Sequence, residues 1–188
     1  KMTFKKTRPR IQIDPIECGA VALGIILEYY GSFVPSQKLR ELAKVSTSGS
    51  SAKSIMDAAV SLGLKAKAHK ILASDIKKLP TPAILFVDQC HFVVFEGHFL
   101  GKFYINDPAF GRYVLNREQF RKRFSRIAIT LRPTNNFFES KNVKKVCREG
   151  IPFKYFRRII MNLFRFDIKS IKNQSFLLKI WVFKGFLW

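Results

Sequence analysis

The segment from Ala20 to Tyr30 reads as a helix that is apolar on nearly every side, Glu28 excepted, and no other stretch constrains the fold as strongly. A helix with one apolar stripe can lie on a surface, whereas a helix apolar all round must be enclosed by other elements and is held rigid there. Asp14-Pro15 marks its entry, since Asp accepts from the first unpaired backbone N–H groups and Pro is tolerated in the first turn; Gly31 marks its end. Cys18 then falls in the opening turn. The partial positive charge and free N–H groups of a helix N-terminus favour the reactive thiolate form of a cysteine. Gln12 lies six residues earlier, close enough for its side-chain amide and the Cys18 backbone N–H to point at one developing oxyanion.

The 188-residue chain is 47% apolar, enough for one full domain with an appendage. A net charge of +21 implies a polyanion, an anionic membrane surface or acidic peptides as partners, without choosing among them. Three cysteines, Cys18, Cys90 and Cys147, without C-x-x-C spacing suggest neither a disulfide framework nor a metal site, and a reducing compartment is expected. No signal-peptide core opens the chain, so secretion by that route is not expected, and no stretch reaches the roughly 18 apolar residues of a membrane span.

After a basic arm, Lys1 to Arg10, and the first helix, Ser36 to Ala43 and Ala52 to Leu62 read as further helices, the latter with Ile55, Ala58, Ala59 and Leu62 on one stripe. From Leu64 the period changes to that of strands: Leu64 to Ile71, Ala83 to Val87, His91 to Glu96, Lys102 to Asn106, Arg112 to Leu115 and Ile127 to Leu131, with one helix at Asn116 to Phe124. Helices first and a mostly antiparallel sheet after them define an α+β fold. A hairpin register centred on Phe99 sets Glu96 opposite Lys102, Phe95 opposite Phe103, Val93 opposite Ile105 and His91 opposite Asp107. Histidine and carboxylate then meet on one face. Cys18, His91, Asp107 and Gln12 together supply nucleophile, general base, orienting acid and oxyanion donor.

Other reactive residues have structural readings. A cysteine on an apolar helix is commonly a small buried hydrophobe, and Cys18 departs from that only through its company. Cys90 should face the opposite side of its strand from His91 and be structural. His69 and His98 are expected to face solvent and to bind no metal, and Asp14 and Glu17 to serve as helix caps, Glu17 with an option on a nearby base.

Gln12-x-Asp14-x-x-Glu17-Cys18-Gly19 followed by an apolar helix and Tyr29-Tyr30-Gly31, together with His91-Phe-Val-Val-Phe95 and Asn106-Asp107-Pro108-Ala-Phe-Gly111, resembles the double-glycine leader peptidase domains of bacteriocin-exporting ABC transporters. The residue before the cysteine is more often Asp in that family. The resemblance covers residues 1–135 and implies a papain-like cysteine peptidase fold, helices packed on the sheet, with Cys18, His91 and Asp107 catalytic and Gln12 in the oxyanion hole. It implies cleavage of a precursor peptide after a double-glycine type motif at the cytoplasmic side of the bacterial membrane. No cofactor is implied for the peptidase domain, ATP belonging to the transporter's nucleotide-binding domain.

Residues 136–188 read as a different region, a basic linker followed by an amphipathic membrane-proximal segment. From Pro133 onward twelve Lys or Arg stand against three acids, a net +9. Within Ile151 to Phe166, Lys154, Arg157, Arg158 and Arg165 fall on one helical face and Phe153, Phe156, Ile160, Leu163 and Phe164 on the other, a pattern suited to an anionic membrane interface and also to docking on the protein itself. In the family this region leads into the transporter's membrane and ATPase domains, so the chain reads as a fragment or truncated product. The competing function is a non-catalytic basic binding module for nucleic acid or anionic membrane, for which no nucleic-acid recognition motif is found, so nucleic acid is not expected as a partner.

Overall fold

The computed structural model describes residues 4–137 and 144–145; of the expected linker Asn136 and Lys144–Lys145 are described, the latter pair as a strand, and the amphipathic segment lies outside the described residues. A capped 3-10 turn, Pro15–Glu17, leads directly into α1 (Cys18–Tyr29). The Asp14 side chain accepts from Ile16 N–H, while Glu17 reaches back to the Ile13 and Asp14 N–H groups and pairs with Arg40 at 2.7 Å. Every residue from Cys18 to Leu27 is buried. The polar exception, Glu28, is matched by Arg10 of the N-terminal arm at 3.1 Å. A short strand β1 (Ser32–Phe33) pairs with β8 (Lys144–Lys145). Helices α2 (Ser36–Leu42) and α3 (Ala52–Ser61) follow, the second capped by the Ser51 hydroxyl on Ser54 N–H.

Then come β2 (Leu64–Lys70), β3 (Ala83–Val87), β4 (His91–Phe99), β5 (Lys102–Asp107), β6 (Gly111–Leu115), α4 (Arg117–Arg123) and β7 (Phe124–Pro133). Among the described residues, six strands form one antiparallel sheet in the order β2-β7-β3-β4-β5-β6. Helices α1 and α3 cover one face, where Leu23, Ile26, Ile55 and Leu62 meet Ile84, Phe92, Val94 and Ile129. On the other face Ile76, Leu79, Phe120 and Phe124 meet Val93, Phe95, Phe103 and Ile105. Full burial of such side chains is worth roughly 1.5–3 kcal/mol each, and both faces of β3 and β4 contribute. Among the described residues no helix is long and apolar enough to cross a membrane.

The β4–β5 hairpin departs from the expected register. Its turn is Leu100-Gly101, both at positive φ, so Phe99 pairs with Lys102, His98 with Phe103 and Gly97 with Tyr104. A bulge at Glu96 then shifts the ladder, and Phe95 pairs with Ile105 and Val94 with Asn106. Glu96 is therefore not opposite Lys102. It is 2% exposed, accepts from both Thr7 N–H and the Thr7 hydroxyl, and pairs with Arg112. His91 and Asp107 are not directly opposed either: one further step of the ladder brings Asp107 level with Val93, two residues from His91. The difference from the expected pairing is even, so the two remain on one face.

Candidate active site

An open cleft of about 910 Å³ is lined by Gln12, Cys18, Cys90, His91, Phe110 and Arg123, among others. Cys18, the first residue of α1, is 5% exposed at its floor. The next residue must be small. A Cβ on Gly19 would stand 2.6 Å from Ile55 Cδ1 and 3.3 Å from Phe92 Cδ2, so glycine lets the helix start close against the strand that carries His91.

His91 Nε2 and Asp107 Oδ1 are 2.8 Å apart. Cys18 lines the same cleft as the ring. Burial alone would favour the neutral imidazole, but the hydrogen bonds to Asp107 and Cys18, with their negative charge, outweigh it and push His91 up to about 9. Asp107 is fully buried. Burial alone would raise its proton affinity, yet hydrogen bonds from His91, the Ala109 N–H at 2.8 Å and the Tyr113 hydroxyl at 3.0 Å hold it below the usual carboxylate range. An ionised carboxylate thus faces a readily protonated ring.

Gln12 donates its backbone N–H to Pro108 O at 2.8 Å, which ties the approach to α1 to the turn after Asp107. Its side-chain Oε1 is buried without a hydrogen-bond partner, and the side chain lines the cleft. All four residues singled out from the sequence are therefore brought to one place. Cys90 behaves otherwise than expected: it is exposed and lines the same cleft. His69 and His98 are half-buried rather than solvent-facing, His69 bonding Thr130 Oγ1 at 2.8 Å and His98 stacking on Phe103. Tyr113 escaped the sequence reading. Its signal was the alternation along Gly111 to Leu115, which opposes Tyr113 to Ile105 and so places it on the face of Asp107.

Residues 6–136 match the family model described as Peptidase C39 family. A double glycine motif protease from an AMS/PCAT transporter, solved in complex with the leader peptide, is 35% identical at a TM-score of 0.68, with 70% of this chain and 94% of that one covered. The peptidase domain of Streptococcus ComA, a bifunctional ABC transporter of a quorum-sensing pathway, is 29% identical at a TM-score of 0.63, covering 69% of this chain and 99% of that one. The Escherichia coli probable microcin-H47 secretion/processing ATP-binding protein MchF is 28% identical over 87% of this chain and 24% of its own length. The chain spans about a quarter of the length of such curated relatives. From the papain-like arrangement of helices on an antiparallel sheet, the thiol and imidazole in its cleft and the match over residues 6–136, the chain belongs to the Peptidase C39 family of cysteine peptidases.

Proposed function

We propose that Cys18 is the nucleophile, His91 the general base and acid, Asp107 the orienting carboxylate and Gln12 an oxyanion donor, in an endopeptidase that removes leader peptides from ribosomally made precursors. The bond cut follows a double-glycine or glycine-alanine pair. The observation that carries this reading is the His91–Asp107 pair, 2.8 Å apart, in an open cleft that Cys18 and Gln12 also line. The Sγ proton rests on His91, and the sulfur attacks the carbonyl carbon to form a C–S bond. The negative charge that develops on the carbonyl oxygen is held by the Gln12 amide and the Cys18 N–H. Collapse breaks the C–N bond, and His91 returns its proton to the departing amine. Water, deprotonated by His91, then hydrolyses the thioester, which frees the Cys18 sulfur and leaves the ring protonated as at the start. No cofactor enters any step.

The 35% identity to a protease crystallised with a leader peptide supports the substrate class. The charge of +21 suits acidic leaders. On the pattern of its relatives, the domain works at the cytoplasmic side of a membrane, joined to transporter and ATPase domains that export the product. A double-glycine leader peptide tests this reading without need of turnover. At about ten times its dissociation constant it should slow iodoacetamide labelling of Cys18 roughly tenfold, while a scrambled peptide has no effect. Equal labelling with both peptides would refute the substrate assignment.

A further inference from the structure

Asp107 has two oxygens, and the reaction as proposed employs one of them. Oδ1 receives His91 and the Ala109 N–H, and Oδ2 receives the Tyr113 hydroxyl at 3.0 Å. Tyr113 is itself held. Arg123 Nη1 donates to its hydroxyl oxygen at 3.0 Å, the Arg123 Cζ lies 5.4 Å from the ring centroid, and Arg123 Nη2 and Nε donate to Asp88 Oδ2 at 2.7 and 2.9 Å. With its oxygen occupied by Arg123, the hydroxyl has its proton directed to Asp107. The elements involved are separate: Asp88 in the turn before β4, Arg123 at the end of α4, Tyr113 on β6, Asp107 at the end of β5, His91 at the start of β4.

We propose that Tyr113, anchored by Arg123, is a positioning residue of this site, fixing the plane of the Asp107 carboxylate so that Oδ1 faces His91. The inference rests on the roles assigned above to His91 and Asp107. Two physical points carry it. A carboxylate pivoting about one fixed oxygen can turn its second oxygen toward or away from the ring, and a second donor removes that freedom. A fully buried carboxylate oxygen left without a donor also favours the protonated acid, which can no longer stabilise an imidazolium. The charged and titratable groups around the pair are His91, Cys18, Arg123 and Asp88; Arg112 on the same strand as Tyr113 is taken up by Glu96 instead.

The test is the pH profile of Cys18 alkylation by iodoacetamide in the full chain carrying Cys90→Ser and Cys147→Ser, a readout that needs no peptide and is independent of the substrate assignment. Tyr113→Phe removes only the hydroxyl. Asp107 then takes up its proton at higher pH, and the acid limb of the profile moves up by about 0.5–1 pH unit, the size of one hydrogen bond to a charged group that is partly replaced. Arg123→Met, which leaves the hydroxyl but frees it, moves the limb in the same direction by less. A Tyr113→Phe protein that melts earlier while its acid limb stays in place, or moves down, overturns the proposal and makes Tyr113 structural only. Should Tyr113→Phe lose its near-UV circular dichroism, an unmoved limb in folded Arg123→Met overturns it equally. A parent profile indistinguishable from that of a free thiol would overturn both this inference and the roles it rests on.

Discussion

At His91 the balance of burial against two negative partners decides the working pH. The ring is pushed up to about 9, so its protonated form persists through neutrality and is lost as the pH passes that value. The alkaline limb of peptide cleavage is therefore expected near there. Removing the Asp107 carboxylate removes a cause of the rise, so Asp107→Ala should move that limb to lower pH. Asp107→Asn keeps an oxygen acceptor for the ring and should retain more activity than Asp107→Ala. Equal rates for parent and Asp107→Ala would show that Asp107 does not orient the base. The sign for stability follows from the same shift: His91 stabilises the folded state fully below its ordinary value and ceases to do so as pH rises through about 9. For Gln12→Ala, loss of one oxyanion donor should lower turnover about 10²–10³-fold with little change in KM. A defect confined to KM would give Gln12 a binding role instead.

At the scale of elements, the close contact of α1 with β4 and the bulge in β4 together place the thiol and the imidazole. Gly19→Ala would press a methyl against Ile55 and Phe92 and should cost about 1–3 kcal/mol in urea unfolding, with a fall in turnover as Cys18 shifts. Unchanged stability and turnover would mean that the helix start has room the geometry does not suggest. The bulge is held by Glu96, whose loss in Glu96→Ala strands Arg112 and Thr7. The expected cost is about 3 kcal/mol, the low end for a buried pair, because Arg112 remains 26% exposed. Equilibrium unfolding measures it, and a cost below 1 kcal/mol would contradict a structural ion pair. What could be read in the sequence divides along the same line. The enclosed helix, the thiol at its start and the strand Ala83–Val87 are local patterns and were legible. The bulge was not, because Glu96 is fixed by Thr7, remote in the chain, and because Phe92 to Phe95 is apolar on both faces and gives no alternation to count. The expected pairing of His91 with Asp107 nevertheless kept the right face, since turn and bulge errors summed to an even shift.

The whole molecule has a folded peptidase body joined to a strongly basic C-terminal region. Phe137 is buried against the helices and Lys145 pairs with Ser32, so a truncated chain meant to keep the body intact should retain residues through Cys147. If the region beyond it lies on anionic membrane, the full chain should bind anionic vesicles and partly release in high salt, while residues 1–147 should cleave peptide but bind vesicles less. Equal vesicle binding by both would place the membrane contact on the body. The central claim concerns a single sulfur atom, and the most direct measurement is the cleavage of a double-glycine precursor by parent, Cys18→Ala and Cys90→Ala proteins, each checked for its fold by circular dichroism. The parent and Cys90→Ala should release the leader at comparable rates, and folded Cys18→Ala should release none; leader release by Cys18→Ala would contradict the account.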